Sequence, residues 1–264
     1  MRMRTCELAK LSWKEAEEAL AQNPVVLIPM GAVEPHGPQL PLGADYMVAE
    51  YVALEAAKKS GNALVTPTIP FGYCDAVEDI PGAISLDPDT LSMVVGDVVS
   101  NLARHGAKRI IFVNNHRTNS VALSYIARKL RREMGIEMAT FFPWGVIQAF
   151  CPPMYADFAS VFGHGGEPET SVMQALFPEH VRMDLAKADQ YSDKWGMPAK
   201  STSQLDFHGT PIEVYLQSQE ISKTGTRGNP LEASSERGSK MIDQVIERLV
   251  AFIEAYREVP LPNE

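Results

Sequence analysis

Residues 27–45, LIPMGAVEPHGPQLPLGAD, join an apolar run to a loop rich in glycine and proline. The apolar run begins two residues earlier, and its four consecutive apolar residues, 25–28, predict a strand that is covered on both faces. We expect this strand to stop at Pro29. Residues 29–44 contain three glycines and four prolines, which predicts a shaped loop rather than a longer strand or a helix.

The loop carries three side chains of the kind that bind a divalent metal ion: Glu34, His36 and Asp45. Residues two apart in an extended segment point to the same side, so Glu34 and His36 can converge on one centre. Asp45 begins the next helix, where exposed backbone N–H groups favour a carboxylate. The alternative interpretation is that Asp45 is a plain helix N-cap, His36 a loop histidine and Glu34 a surface acid.

Composition excludes several classes of protein. The chain has 264 residues and a net charge of −9, from 33 acidic against 24 basic residues, which argues against a nucleic-acid partner. Cys6, Cys74 and Cys151 are widely spaced and odd in number, so we expect free thiols and no disulfide framework. No segment resembles a signal peptide or reaches the ~20 apolar residues that cross a bilayer, so we expect a cytoplasmic protein without a membrane partner.

The alternation of strands and helices predicts the fold. A second clear strand, residues 109–113, runs into Asn114, Asn115 and His116, and further helices and strands alternate around it. This pattern predicts right-handed βαβ units and an α/β fold, a three-layer α/β/α sandwich with a mainly parallel sheet, in one domain over residues 1–264. Ligands bind at the carboxyl ends of such strands, so the Glu34/His36 and Asn114/His116 segments are expected to share one site.

The second half of the chain is less regular. Residues 143–166 are aromatic and loop-like, and the glycine-rich stretch GHGGEPETS at 163–171 runs into a predicted helix at 172–177. Residues 183–230 are weakly patterned; we assign them only loops and short elements, with an oligomer contact as one interpretation. A last helix is predicted over roughly residues 231–257 from its apolar stripe.

Three motifs, in chain order, resemble the creatininase (creatinine amidohydrolase) family. The first matches the family signature Glu-x-His-Gly-x-x-Leu-Pro-x-x-x-Asp from Glu34 to Asp45. The second is Asn114-Asn115-His116, where the family usually shows Asn-Gly-His-Gly-Gly-Asn. The third is HGGEPETS at residues 164–171, where the family shows His-Ala-Gly-Glu-x-Glu-Thr-Ser. The resemblance covers nearly the whole chain.

The resemblance implies a hydrolase site with two divalent metal ions. By position, Glu34 and His116 are expected to hold one ion, His36 and Glu167 the other, and Asp45 is expected to bridge them, with a water or hydroxide between the ions. The residue types leave Zn²⁺, Mn²⁺ and Fe²⁺ open as the native metal.

The resemblance also implies a catalytic histidine. His164 is expected to be the proton shuttle, because a histidine titrates near neutral pH and can give a proton to a leaving nitrogen. The alternative is a structural histidine that caps the glycine turn. Glu169 is expected to act with it, by orienting His164 or a metal ligand.

Several residues depart from the family pattern. Asn115, Arg117 and Thr118 replace glycines of the family loop, and Gln39 stands where the family often has a histidine. Creatininase itself has a metal-ligating acid at the position of Thr118, so creatinine is not the expected substrate. Arg117 supplies a fixed cation and a bidentate donor, and we expect it to bind the substrate together with Trp144.

Three functions remain open at this point. The leading hypothesis is a metal-dependent amidohydrolase that cleaves a small cyclic amide or a formamide. The second is hydrolytic C–C ring cleavage of a cyclic diketone or keto-inositol, in which the metals stabilise an enolate leaving group. The third is a non-catalytic metal-binding protein. The family resemblance further implies a homo-oligomer, a hexamer built as a trimer of dimers.

Overall fold

The structure, a computed structural model, describes residues 4–262. The α-helices of this range are α1 Trp13–Leu20, α2 Ala44–Ser60, α3 Pro88–Arg104, α4 Ser120–Met134, α5 Pro143–Phe150, α6 Phe158–Val161, α7 Glu169–Leu176 and α8 Ser235–Arg257. The strands are β1 Val25–Met30, β2 Ala63–Val65, β3 Arg109–Asn114, β4 Glu137–Phe141, β5 Ala199–Ser201, β6 Gln204–Phe207 and β7 Thr210–Glu213. None of the described helices is both long and apolar enough to span a membrane.

Strands β1 to β4 form a parallel sheet in the order β2-β1-β3-β4. Along the β1–β3 pair, Val25 lies opposite Arg109 and Met30 lies opposite Asn114, so the two strands end at the same level. The loops that follow them therefore leave the sheet side by side. This register brings the segment of Glu34 and His36 next to the segment of His116, as the sequence predicts.

Helices cover both faces of the sheet. Along β1, Val25 and Leu27 belong to a core formed mainly with α2 and α8, whereas Val26 and Ile28 belong to a second core formed mainly with α3 and α4. Every residue of β1 and β3 is buried, which is the expected state of central parallel strands. The predicted three-layer α/β/α sandwich is therefore confirmed.

Strand β1 continues through Pro29 for one more residue, beyond the end that we predicted. A proline has no N–H to give to a ladder and is usually excluded from central strands. The carbonyls of Leu27 and Pro29 accept hydrogen bonds from the N–H groups of Thr66 and Ile69, so their backbone groups face the β2 side. Since β2 ends before Thr66, the proline removes no ladder hydrogen bond on that side.

The segment 143–166, which we predicted to be loop-like, contains helices α5 and α6. Trp144 is buried, and Phe150, Tyr155 and Phe158 pack against the core of their own chain. The aromatic residues of this segment thus bury much of their surface within one protomer. Their apolar character is no independent argument for assembly, and the hexamer stays a prediction based on the family.

Residues 183–230, for which we predicted only loops and short elements, contain a second sheet. It is antiparallel, with the order β5-β6-β7, and Leu205, Val214, Leu216 and Ile221 form a small core beside it. The strands have three or four residues each and expose most of their side chains, which explains why hydrophobic periodicity did not reveal them.

Candidate metal centre

Four of the predicted ligands, together with Glu169, come from four parts of the chain that meet at the carboxyl edge of the parallel sheet. Glu34 and His36 lie in the loop after β1, Asp45 in the first turn of α2, His116 directly after β3, and Glu169 at the start of α7. All five side chains are buried. Buried acids and histidines from separate segments are the composition of a functional site rather than of a core.

Asp45 gives one carboxylate oxygen to each of two histidines. Its Oδ1 lies 3.3 Å from Nε2 of His36, and its Oδ2 lies 2.9 Å from Nδ1 of His116. The indole N–H of Trp144 donates a hydrogen bond to Oδ1 at 2.9 Å and fixes the rotation of the carboxylate. The helix N-cap is Gly43, and Asp45 is 1% exposed, so the interpretation of Asp45 as a plain N-cap is wrong.

Glu34 is the second point of convergence. Its Oε1 lies 3.0 Å from Nδ1 of His116, 3.3 Å from Nε2 of His164 and 3.6 Å from Nε2 of His36. Two overlapping sets of donor atoms result, one with Glu34, His36 and His164 and one with Glu34, Asp45 and His116, and within each set all donor atoms lie within 4.8 Å of one another. Glu34 is therefore no surface acid and His36 no ordinary loop histidine.

Backbone carbonyls orient both His36 and His116. Nδ1 of His36 lies 3.2 Å from the carbonyl oxygen of Glu34, and Nε2 of His116 lies 2.8 Å from that of Tyr73. Each ring thus uses one nitrogen on a carbonyl and turns the other towards the carboxylates. Histidines that bind metals are usually held in this way, because the second hydrogen bond fixes the tautomer and the ring plane.

The pKa values of the clustered acids and histidines are shifted in the directions expected where bound protons compete with metal cations. Burial alone lowers the pKa of His36, but the charge of Asp45 and its hydrogen bond outweigh this and raise that pKa to about 10. The pKa of His116 is likewise well above its ordinary value, since Glu34 and Asp45 outweigh burial. The histidines in turn hold the pKa values of Glu34 and Asp45 below normal despite burial. Protons on these rings compete with a divalent cation for the same positions.

Glu167, the expected ligand of the second ion, does not face the cluster. Its carboxylate accepts a hydrogen bond from the hydroxyl of Tyr155 at 2.7 Å and bonds to both the hydroxyl and the N–H of Ser171. The guanidinium of Arg237, on α8, lies 3.3 Å away. These partners satisfy Glu167 and attach the turn before α7 to α8, so the geometry does not support a ligand role for it.

Glu169 occupies the position that we expected for Glu167. Its Oε2 lies 3.9 Å from Nε2 of His36, and the same oxygen accepts a hydrogen bond from the N–H of Gly165 at 2.7 Å. The two glutamates are separated by one residue, but only the one at the start of α7 turns to the cluster. Burial raises the pKa of Glu169, and the two histidines beside it, His36 and His164, oppose this effect.

His164 lies at the edge of the cluster and is partly exposed. Its ring stacks on that of His36 with centroids 4.3 Å apart, its Nδ1 lies 3.1 Å from the carbonyl of Gly225, and its Nε2 faces Glu34. Burial and the charge of His36 lower the pKa of His164, but the hydrogen bond with Glu34 and the charges of Glu34 and Glu169 raise it to above its ordinary value. The imidazole is thus fixed by one nitrogen and presents the other to the site.

Gln39 joins the two loops that carry these histidines. Its buried amide donates a hydrogen bond to the carbonyl of Gly165 at 2.5 Å and lies within 3.3 Å of the carbonyl of His36. The residue that replaces the family histidine at this position therefore connects backbone segments and does not point to the metal ligands.

The cluster forms the floor of a cleft of about 430 Å³. One part of its lining, here called the sheet-end wall, consists of Arg117, Thr118, Phe142, Trp144 and Gln148. A second part, called the second-sheet wall, consists of Tyr191, residues 200–203, Ser218 and Arg227. Residues 74–77, with the acidic Asp75 among them, also line the cleft. The second-sheet wall was not predicted from the sequence. A local signal was the turn-forming Gly228-Asn229-Pro230 segment directly after Arg227.

The donor set fits divalent metal ions. Three buried carboxylates and two oriented imidazole nitrogens converge, and Asp45 offers one oxygen to each of two neighbouring positions. Carboxylate and imidazole donors suit Zn²⁺ and Mn²⁺, and an anion shared between two positions is what a dinuclear site requires.

Comparison with known proteins agrees with this assignment. The model of the creatininase family, described as creatinine amidohydrolase, matches residues 9–253. The creatinine amidohydrolase of Pseudomonas putida is 32% identical over 195 residues, which make up 67% of this chain and 74% of that protein. The mycofactocin precursor peptide peptidase of Mycolicibacterium smegmatis is 31% identical over 228 residues, 84% of this chain and 81% of that protein. The 3-dehydro-scyllo-inosose hydrolase of Thermotoga maritima is 24% identical over 257 residues, 92% of this chain and 81% of that protein.

Solved structures of creatininases share the fold. A mutant creatininase of the Zn-Zn type superposes with a TM-score of 0.77 at 27% identity and covers 96% of this chain and 99% of its own. A manganese form gives the same TM-score, identity and coverage. With a family model that spans most of its length and a relative above 30% identity, the chain belongs to the creatininase family of metal-dependent amidohydrolases.

Proposed function

We propose that this protein is a dinuclear metal-dependent hydrolase that cleaves the C–N bond of a small cyclic amide or formamide. The observation that carries the proposal is the convergence of five buried donor side chains from four segments at the floor of an accessible cleft, with Nε2 of His164 beside them, 3.3 Å from Glu34. Structural metal sites are closed by their ligands, whereas a catalytic site keeps access for water and substrate.

In this proposal Glu34 and His116 bind one ion, His36 and Glu169 bind the other, and Asp45 bridges them. The distances from Asp45 to the two histidines and from Glu169 to His36 support this division. Trp144 fixes the bridging carboxylate through its indole N–H and also lines the cleft. Two divalent ions, when bound, supply Lewis acidity towards a carbonyl and lower the pKa of a shared water.

His164 then transfers the proton. Its Nδ1 is held by the carbonyl of Gly225, so its Nε2 is the nitrogen that can take a proton from attacking water and give it to the leaving nitrogen. The glycine turn allows this placement: a Cβ on Gly165 would lie 2.6 Å from the backbone of His36, so the turn approaches the ligand loop closely.

The cleft supports a small substrate. A volume of about 430 Å³ is at the low end of ligand sites and fits a single ring with short substituents. One relative is named as an inosose hydrolase, and this favours C–C ring cleavage of a keto-inositol as the second candidate. Both reactions begin with attack of water on a carbonyl, and they differ in whether nitrogen or carbon leaves.

Product analysis separates these functions. The protein loaded with Zn²⁺ or Mn²⁺ is incubated with cyclic amides, formamides, short peptides and cyclic keto-inositols, and products are identified by mass spectrometry. We expect ring-opened or deformylated amines from the first two classes. Release of a keto acid from a keto-inositol, without amide cleavage, would establish the second candidate instead. Absence of turnover in a fully metal-loaded protein would leave the binding protein as the remaining function.

A further inference from the structure

The two walls of the cleft each carry an arginine that the catalytic account does not use. Arg117 belongs to the sheet-end wall and follows the ligand His116 directly. Arg227 belongs to the second-sheet wall, and its backbone N–H donates a hydrogen bond to the carbonyl of His164 at 2.8 Å. Arg117 therefore lies beside a proposed metal ligand, and Arg227 lies beside the histidine that is proposed to transfer the proton.

Neither arginine has an acidic partner. Among residues 4–262, no carboxylate forms an ion pair with Arg117 or Arg227, although acidic residues outnumber basic ones in the whole chain. Arg117 is exposed, and its guanidinium lies 4.7 Å from the ring centroid of Phe142, another residue of the cleft. A guanidinium stays cationic at any physiological pH, so this charge remains available to a ligand.

Arg227 is held in place before any ligand arrives. Its Nη1 donates a hydrogen bond to the carbonyl of Lys200 at 2.7 Å, and its guanidinium lies 5.5 Å from the ring centroid of Tyr191. The side chain of Lys200 itself has a partner in Asp206, at 3.6 Å. This half-buried guanidinium is fixed by a neutral carbonyl and an aromatic ring, so it keeps further N–H donors for an anion. Because the side chain is already ordered, less conformational entropy is lost when the anion binds.

The charge balance of the site with metal ions bound also favours an anionic ligand. The three carboxylates of the cluster are Glu34, Asp45 and Glu169, and two divalent cations bound among them neutralise all three. Among the described side chains that line the cleft outside the cluster, Arg117 and Arg227 would then supply two positive charges without an ion-pair partner, and Asp75 is the one further carboxylate. A neutral substrate would leave both unpaired, whereas an anionic substituent would match them.

We propose that Arg117 and Arg227 form an anion subsite, and that the substrate of the proposed hydrolase carries a carboxylate next to the bond that is cleaved. The inference rests on the proposed function for the identity of that bond, but anion binding can be tested without turnover. In this arrangement the aromatic residues Phe142 and Tyr191 contact the ring of the substrate while the two guanidinium groups hold its carboxylate.

The test uses two nearly isosteric probes, hydantoin-5-acetate and hydantoin-5-acetamide, which differ in charge. Their binding to the zinc-loaded protein is measured by isothermal titration calorimetry, and turnover is followed separately by chromatography. Hydrogen bonds to charged groups are strong enough that we expect the wild-type protein to bind the acetate at least about tenfold more tightly than the acetamide.

Three variants assign this preference to residues. Arg117→Gln and Arg227→Gln should each lower the ratio with zinc content unchanged, because each removes one of the two guanidinium groups. Arg248→Gln is the matched control, because Arg248 also lies over an aromatic ring, that of Phe150, but does not line the cleft. It should keep the wild-type ratio. Since Arg117 is exposed, its variant is expected to fold even if Arg227→Gln perturbs the neighbouring turn.

The outcomes separate this inference from the proposed function. A wild-type ratio near one, absence of acetate binding at millimolar concentration, or a ratio that survives in either arginine variant contradicts the anion subsite. If the acetate binds with an arginine-dependent preference and neither probe is hydrolysed, the subsite stands and amide hydrolysis is in question. If both probes are hydrolysed with equal kcat/KM, the hydrolase stands and the subsite does not.

Discussion

At the scale of single residues, Trp144 orients the carboxylate of Asp45 so that its two oxygens face two different histidines. Its indole N–H holds Oδ1 of Asp45 at 2.9 Å, although the sequence suggested only contact with the substrate. We expect Trp144→Phe, which keeps the ring but removes the donor, to weaken metal binding by about 10–100-fold, the usual effect of a group that orients a ligand. Competition with a fluorescent chelator measures this. Unchanged metal affinity with a raised KM would instead support a role in substrate binding alone.

His164 is the residue whose loss should separate chemistry from metal binding. We expect His164→Ala to keep both metal ions and the melting temperature, and to lower kcat by about 10²–10⁴-fold, the usual contribution of general acid–base catalysis. Elemental analysis and steady-state kinetics on the same preparation provide the measurement. Because its Nε2 also lies 3.3 Å from Glu34, loss of metal in this variant would show that His164 is a ligand.

The sequence could predict which residue types meet in the site, but not the direction of every side chain. Glu34, His36, Asp45 and His116 were found because their spacing and their places after strands restrict where they can point. For the acids on either side of Pro168, the sequence predicted Glu167 as a ligand and Glu169 as an orienting residue, whereas the structure turns Glu169 to the cluster. Which of them faces the cluster depends on where α7 begins and on the pairing of Glu167 with Arg237, 70 residues further along the chain.

At the scale of elements, the contact between the end of β1 and the start of α2 positions Asp45. A Cβ on Gly31 would lie 2.4 Å from the backbone nitrogen of Tyr46, so strand and helix meet at a distance that only glycine allows. We expect Gly31→Ala to displace the first turn of α2 and to reduce both metal affinity and melting temperature.

Gly96→Ala is the control for this prediction. Gly96 lies inside α3, where an added Cβ would meet the flexible side chain of Ile126 at 3.3 Å and would improve helix propensity by ~1 kcal/mol. Metal content should therefore stay at the wild-type value, and the melting temperature should be unchanged or slightly higher. If Gly31→Ala binds metal with wild-type affinity, the close contact does not position Asp45.

Elements with strong periodicity could be predicted and short polar ones could not. Strands β1 and β3 are uninterrupted apolar runs, and α3 and α8 have clear apolar stripes, so the parallel sheet and its helical layers followed from the sequence. The antiparallel sheet in residues 199–213 is stabilised by its ladder and by a few contacts with Leu205, not by an alternating pattern. The second-sheet wall of the cleft, which contains Arg227, could therefore not be predicted from the sequence.

At the scale of the whole molecule, metal binding and stability should be coupled, because ions that bind the folded cluster and not the unfolded chain stabilise the folded state. Removal of metal by chelation should lower Tm, and Zn²⁺ or Mn²⁺ should restore it. At a concentration of about 100 times Kd, a bound ion contributes ~2.7 kcal/mol, or about 5–10 °C for a chain of this length. Scanning calorimetry before and after chelation tests this, and an unchanged Tm would contradict the coupling.

We propose that Glu34, His36, Asp45, His116 and Glu169 build a dinuclear metal centre and that Glu167 lies outside it. The most direct test is the metal content of Glu169→Gln and Glu167→Gln by inductively coupled plasma mass spectrometry, after loading with Zn²⁺ and gel filtration. We expect close to two ions per wild-type chain, at least one fewer in Glu169→Gln, and two in Glu167→Gln, whose Tm should fall because Arg237 loses its partner. Full occupancy in Glu169→Gln together with loss of metal in Glu167→Gln would contradict the claim.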